Sequence, residues 1–256
     1  MVTAALAVWY MTRMKAVKLQ KSSFRLHLPL AVRYVPMGMT SFLSQISVVA
    51  SMAAVQNMTM KYGALDPIFG QEGLTQIPMA VLGIVMKFFQ IVIAFAVGFS
   101  AGCIPIVGYN IGAGREDRAK KLFKMLLGAE LATGLVALVI VEGLPGQLIR
   151  LFGAAGESAY YTEFAVRCFR VYLCMLPLAT INKGTFIYLQ ALGKAALSSG
   201  ISLVREIVFG CGLPILLSVF FGLNGVLYSM PVADALTFVI AAVVIACVMK
   251  QLDAKN

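Results

Sequence analysis

Long apolar segments recur along this 256-residue chain and are separated by short charged or glycine-rich connections. Each segment is long enough to cross the hydrocarbon core of a bilayer, which takes about 20 helical residues. A segment inside a bilayer must satisfy its own backbone hydrogen bonds, and a helix does so within itself. The sequence therefore predicts an all-α fold, a polytopic membrane helix bundle with six full spans. The predicted spans are residues 34–60, 78–105, 122–141, 161–188, 195–221 and 226–248.

The composition excludes several classes of protein. The chain is 60% hydrophobic and 12% charged, whereas soluble domains are about 45–50% apolar and about 25% charged. A soluble protein of this size has too little interior to hide so much apolar surface. An ordinary soluble enzyme, a disordered chain and a secreted disulfide scaffold are therefore excluded.

The two ends of the chain differ from the predicted bundle. Residues 2–12 are apolar but too short to span a bilayer, so we interpret them as the end of a preceding helix. Residues 13–33 carry six Lys and Arg residues and no acidic one. We predict three regions: 1–33 with the helix end and a basic cytoplasmic segment, 34–249 with the six spans, and 250–256 as a cytoplasmic tail.

The distribution of positive charge predicts the orientation. If the six spans alternate sides, fifteen of the 21 Lys and Arg residues fall on the side of segment 13–33, and Lys183 is one of them. Four fall on the other side, and Lys87 and Arg205 lie within spans. Cytoplasmic loops carry the excess of Lys and Arg. We therefore expect a multi-pass membrane protein with a cytoplasmic C terminus, and the net charge of +10 requires no nucleic-acid partner.

Charged residues inside the predicted spans are the first candidate site. Lys87, Arg205 and Asp234 lie about 12–15 Å along their spans, close to the bilayer midplane, and Glu206 follows Arg205. Because the last two spans are joined by a short turn, we expect Arg205 and Asp234 to meet. Such charges either line a substrate and ion pathway or form a structural polar cluster. Glu130, in the third span, is expected at a helix interface near the cytoplasm or as a further member.

Uncharged polar side chains inside the spans add candidates for a cavity. They are Gln45, Gln56, Asn57, Tyr172 and Asn182. The chain also has 14 Met and 16 Phe residues. Flexible and aromatic side chains suit apolar cations, and they equally suit packing against lipid and other helices.

Residues for covalent catalysis are not arranged in a known pattern. The sequence has no Ser-His-Asp, HExxH or P-loop pattern, and the glycines of GYNIGAG do not have dinucleotide-binding spacing. We expect no enzyme, no cofactor and no metal site. Residues 106–121, which contain those glycines, are predicted to form a cytoplasmic loop.

Two stretches of the chain resemble a known family. Residues 77–123, with the core PIVGYNIGAGREDRAKK, are similar to the eighth helix and following loop of multidrug and toxic compound extrusion (MATE) transporters. Residues 201–241 are similar to the last two helices, through Arg205 in the fifth span and Pro231, Ala233 and Asp234 in the sixth. Taken in order, the similarity covers nearly the whole chain.

The resemblance implies an architecture and a function. MATE transporters have twelve helices in two six-helix lobes, so this chain would be the C-terminal lobe and residues 13–33 the linker between lobes. The implied partners are the lipid bilayer, the missing N-terminal lobe and small amphipathic or cationic substrates. The implied location is the cytoplasmic (inner) membrane. The implied activity is secondary active efflux, in which a cation moving inward drives export of the substrate.

The coupling ion stays open between Na⁺ and H⁺. Some MATE members carry an acidic residue early in helix seven, but the corresponding residues 36–45 (PMGMTSFLSQ) contain none. Two alternatives to efflux also stay open. They are a lipid or oligosaccharide flippase of the same superfamily, and a non-transporting membrane fragment or assembly subunit.

Overall fold

The computed structural model of the chain describes residues 28–152 and 158–253, together with Trp9. The predicted helix end at residues 2–12, Trp9 apart, and most of the basic segment lie outside the described residues. The chain divides into two units, Met1–Thr40 and Ser41–Asn256. In the first unit residues 28–40 are helical. All side-chain contacts given below belong to the second unit.

The described residues form helices and contain no strand. The helices are α1 (Leu28–Ala64), α2 (Ile77–Gly112), α3 (Glu116–Gly143), α4 (Pro145–Leu151), α5 (Ala159–Tyr172), α6 (Leu176–Ala191), α7 (Ala195–Phe221) and α8 (Leu223–Asp253). The predicted all-α class is confirmed. Short α4 lies within residues 142–160, which connect the third and fourth predicted spans.

The number of membrane-spanning helices agrees approximately with the predicted six. By length and composition α2, α3, α7 and α8 each suffice to cross a membrane, and α5 and α6 together make a possible fifth span. Helix α1 covers the first predicted span and is long enough, but it is not in this group. Its apolar sequence is interrupted by polar residues such as Gln45, Gln56 and Asn57.

The fourth predicted span, residues 161–188, is present as two helices with a break between them. Helices α5 and α6 are bent by 46° at residues 173–175. Pro177 has no N–H with which to continue the α-helical ladder to the Leu173 carbonyl. That carbonyl instead accepts from the Leu176 N–H at 3.1 Å, in a tighter turn.

The predicted cytoplasmic loop at 106–121 is almost entirely helical. Helix α2 continues to Gly112 and α3 begins at Glu116, so three residues connect them. Gly114 has φ +68°, a conformation that glycine adopts without steric cost. The glycines and charges of this stretch therefore mark the end of one helix and the start of the next.

Helices α7 and α8 are joined by a single residue, Gly222, where a turn of residues 222–225 was predicted. Gly222 has φ +59°, and its N–H donates to the Ser218 carbonyl at 2.9 Å. A Cβ at Gly225 would overlap the backbone of Leu217. The two helices thus lie in direct backbone contact where they leave the turn.

Helix α6 packs against α2, α3 and α8 and occupies the middle of the second unit. Its contact with α3 is close because α3 presents Gly134 there. A Cβ at Gly134 would overlap Pro177 Cα and would lie 2.7 Å from Thr180 Oγ1. Absence of a side chain at Gly134 therefore sets the distance between α3 and α6.

Replacing Gly134 by alanine is expected to destabilise the second unit by about 1–3 kcal/mol, because the new methyl group meets backbone atoms that cannot rotate away. Gly128→Ala is the matched control on the same helix, since its Cβ meets nothing within 4 Å and alanine favours the helix. Thermal unfolding in detergent measures both. Equal melting temperatures for the two variants would contradict this account of the α3–α6 contact.

Candidate functional site

A cavity of about 330 Å³ lies among α1, α2, α5, α6, α7 and α8. This volume is within the range of small-ligand sites, about 300–1,000 Å³. Its wall combines an apolar part with a charged part. Apolar lining residues include Met52, Met86, Phe89, Phe209 and Met230, and the polar ones are Ser51, Gln90, Tyr172, Lys183, Arg205, Glu206 and Ser229.

Arg205 holds together a buried group of three charges, which we call the triad: Arg205, Glu206 and Asp234. One guanidinium nitrogen, Nη1, donates to Glu206 Oε1 at 2.7 Å, and the other, Nη2, donates to Asp234 Oδ1 at 2.7 Å. The residues are 7%, 5% and 2% exposed, respectively. The structure thus brings Arg205 and Asp234 together as the short turn between their helices led us to expect. One cation faces two carboxylates, so the triad carries one net negative charge when all three groups are ionised.

The local backbone of α7 explains how two consecutive residues reach the same site. Residues Val204–Phe209 form a π-helical segment inside α7. A π turn accommodates an extra residue and is frequent at functional sites. Gly210 follows this segment, and a Cβ there would overlap Ser51 Oγ of α1. Helix α7 therefore approaches α1 closely at Gly210, directly after the two charged residues.

Asn182 fixes the position of Asp234 from a third helix. Its Nδ2 donates to the Asp234 backbone carbonyl at 3.0 Å, and the side chain is 1% exposed. The sequence indicates Asn182 as a candidate for the cavity wall. Its side chain instead lies at the interface of α6 with α8 and does not line the cavity. Its role in the structure is to hold α8 in register with α6.

Lys183 is a cavity residue that the sequence reasoning missed. It had been counted among the fifteen positive residues that indicate the cytoplasmic side. Helix α6 continues to Ala191, so Lys183 lies eight residues, or about 12 Å, from the end of its helix. The available signal was its position inside an apolar segment, beside Asn182.

Two other candidates, Tyr172 and Lys87, differ in their position relative to the cavity. Tyr172, at the end of α5, is 2% exposed and lines the cavity. Lys87 is exposed and lies outside it, because α2 faces the cavity with Met86, Phe89 and Gln90. The expectation that Lys87 lines the cavity with the triad does not fit this arrangement.

The polar candidates on α1 also lie outside the cavity. Gln45, Gln56 and Asn57 are exposed. Helix α1 reaches the cavity through a stripe at helical spacing that includes Val48 and Val55. Gln56 and Asn57 follow Val55 along the helix but are not among the residues that line the cavity.

Glu130 forms a second buried polar contact, away from the cavity, where α2, α3 and α6 meet. The side chain is fully buried, and its Oε1 accepts from Ser100 Oγ at 2.6 Å. Thr180 Oγ1 donates to the Glu130 backbone carbonyl at 2.8 Å. Of the two expectations for Glu130, the structure favours the helix interface. Within the described part of the chain, no group of three or more His, Cys, Asp or Glu residues is arranged to hold a metal ion.

Removing members of the triad is expected to affect stability unequally. Arg205→Met leaves two buried carboxylates without their cation and should cost about 3–5 kcal/mol, whereas Asp234→Asn leaves Arg205 bonded to Glu206 and should cost less. The double variant should cost less than the sum of the two, with a coupling of about 0.5–3 kcal/mol. Unfolding of the purified variants in detergent measures these differences, and strictly additive values would argue against a direct Arg205–Asp234 bond.

Comparison with known proteins shows a family match and several solved structures of similar fold. Residues 36–216 match the MatE family. The chain is similar to a crystal structure of MATE in complex with MaL6, with a TM-score of 0.83 at 15% identity over 99% of this chain and 55% of that one. It is also similar to an inward-facing multidrug resistance MATE family transporter of the MOP superfamily, with a TM-score of 0.80 at 15% identity over 100% of this chain and 56% of that one.

A third similar structure is a MOP superfamily transporter from Pyrococcus furiosus, described as having a reversed polarity of its binding pocket. Its TM-score is 0.80 at 16% identity, over 98% of this chain and 54% of that one. No curated protein matches the chain. In all three comparisons the chain spans about half the length of the solved structure. One six-helix lobe would cover this share. On the match over residues 36–216, this chain belongs to the MatE family of membrane transporters.

Proposed function

We propose that this chain is the C-terminal lobe of a cation-coupled efflux transporter, and that the cavity beside the triad is part of its substrate and ion pathway. The observation that carries the proposal is the triad itself, buried within two long apolar helices. Charged side chains at such a depth are costly, and they usually serve an ion or substrate pathway. The family of the chain supports a transporter rather than an enzyme.

The depth of the triad supports this assignment. Arg205 lies ten residues from the start of α7 and Asp234 lies eleven residues from the start of α8. At 1.5 Å per residue both are about 15 Å along their helices, near the middle of a hydrocarbon core of about 30 Å. Substrate and ion sites of secondary transporters lie near this midplane.

The apolar part of the cavity suggests the class of substrate. Met52, Met86 and Met230 are flexible and polarisable, so they adapt to ligands of different shape. Phe89 and Phe209 offer aromatic faces that attract cations. Together with the two carboxylates of the triad, this wall suits small amphipathic or cationic compounds.

The proposed coupling is antiport by alternating access. A Na⁺ ion or a proton moving inward through the two-lobe protein drives the substrate outward through a cavity between the lobes. The proposed partners are the bilayer and an N-terminal lobe. The proposed location is the cytoplasmic membrane, with the C terminus inside.

Asp234→Asn is expected to reduce export of a fluorescent cationic dye to the background of cells without the transporter, because the triad loses its net negative charge. The assay uses the complete product of the reading frame that encodes this chain, with membrane levels measured in parallel. Glu142→Gln is the matched control, since Glu142 forms a half-exposed ion pair with Arg170 at 3.4 Å. Dye export by Asp234→Asn at the wild-type rate would remove Asp234 from the mechanism.

The orientation is tested by cysteine labelling in a cysteine-free background. A cysteine at residue 115, in the turn between α2 and α3, is expected to react with a membrane-impermeant thiol reagent only after cells are opened. A cysteine at residue 66, in the connection between α1 and α2, is expected to react in intact cells. The reverse pattern would overturn the predicted topology and with it the cytoplasmic C terminus.

A further inference from the structure

Lys183 differs from the other charged residues of the cavity because it has no direct ionic partner. Among the described residues, no carboxylate oxygen lies within 4.0 Å of its ammonium nitrogen; the Arg205 guanidinium takes both bonds of the triad. Lys183 is half-buried and lines the cavity. An ammonium group that loses part of its hydration without gaining a hydrogen-bond partner is destabilised, and the neutral amine is destabilised much less.

The charges around Lys183 explain why it matters to a ligand. Three charged groups interact electrostatically with Lys183: Arg205 and Glu206 from α7, and Asp234 from α8. Tyr172 of α5 lines the same cavity, and the lining residues of α1 and α2 carry no charge. The triad contributes one net negative charge, so a protonated Lys183 brings the cavity to zero and a neutral Lys183 leaves it at minus one.

One monovalent cation therefore balances the cavity when Lys183 is neutral. A second positive charge beside the ammonium would lack a counterion in the described part of the wall, and like charges in a site of low dielectric repel strongly. A proton on Lys183 and a cationic ligand thus compete for the same charge balance.

We propose that Lys183 is the proton-carrying residue of this cavity, and that a lipophilic monocation enters as the Lys183 ammonium releases its proton. The N–H bond breaks, its electron pair stays on the amine nitrogen, and the proton leaves to water on the side to which the cavity is open. After the cavity has opened to the opposite side of the membrane, a proton from that side binds Lys183. The ammonium is restored and the ligand is released to that side. This inference rests on the proposed efflux function and assigns the coupling ion as H⁺.

The triad is less suited to carry this proton. Glu206 and Asp234 each accept a 2.7 Å hydrogen bond from Arg205. Protonating either carboxylate weakens a charge-assisted bond and leaves the guanidinium with a single anionic partner. Lysine, by contrast, changes its protonation state readily when buried.

Binding of radiolabelled tetraphenylphosphonium to the purified complete protein tests the proposal, with measurements at a series of pH values. Wild-type affinity is expected to rise about tenfold for each pH unit while Lys183 is protonated, because one proton is released for each cation bound. An indicator dye in weak buffer is expected to detect that released proton. Tetraphenylborate, which has the same shape and the opposite charge, is expected to bind weakly or not at all.

Three variants of Lys183 separate a proton carrier from a packing residue. Lys183→Met and Lys183→Gln are permanently neutral, so they should bind the cation tightly at every pH and release no proton. Lys183→Arg is permanently charged and should not bind it. Lys124→Met, at an exposed position of α3, is the control and should keep the wild-type pH dependence.

Several results would overturn the proposal. A pH dependence that persists in both neutral variants would place the exchanged proton elsewhere, and loss of dye export in Asp234→Asn would still support the efflux function. Binding of tetraphenylborate that requires Lys183 would show that the cavity takes an anion. Failure of the wild-type protein to bind either ion would overturn this inference and the proposed substrate class together.

Discussion

The bonds from Arg205 to two buried carboxylates are the constraint on which the arrangement of α7 and α8 depends. Without Arg205, Glu206 and Asp234 would lie unpaired among apolar helices, at a cost of several kcal/mol. The same bonds fix the π-helical segment of α7 against α8 and leave one net negative charge at the cavity. Stability of the helix pair and affinity for a cation therefore have a common origin. A substitution in the triad changes both, so transport assays of such variants require a parallel measurement of folding.

Residues 180–184 of α6 connect the separate parts of the second unit. Thr180 bonds to the Glu130 carbonyl, Asn182 bonds to the Asp234 carbonyl, and Lys183 lines the cavity. Gly184 lies so close to Glu130 that a Cβ would come within 2.8 Å of its Cγ. Because these contacts lie within about one helical turn and a half, any rotation of α6 would alter the cavity and the α3 interface at once.

Features of the fold that depend on composition and on local spacing could be predicted from the sequence. Apolar length predicted the helices, and the short connection between the last two predicted the meeting of Arg205 with Asp234. What depends on helix rotation was not accessible from one sequence. Gln45, Gln56 and Asn57 are polar and lie inside a predicted span, yet they do not line the cavity, and nothing local distinguishes them from residues that do. The same uncertainty led to Lys183 being read as a marker of orientation. Breaks between helices were also poorly predicted, since glycine and proline occur both within and between the helices of this fold.

The one-residue connection at Gly222 has a further meaning for biosynthesis. Arg and Asp at the centre of a helix each oppose entry into the membrane by about 2.5–3.5 kcal/mol, so α7 and α8 each insert less favourably alone than as a pair. Because Gly222 alone joins them, the two helices can form a hairpin that pairs Arg205 with Asp234. A hairpin that enters the bilayer as one body neutralises these charges before they meet lipid. With a longer connection, α7 would reach the translocon before α8. Arg205 would then enter the membrane without Asp234, and the ion pair would form only after both helices had inserted.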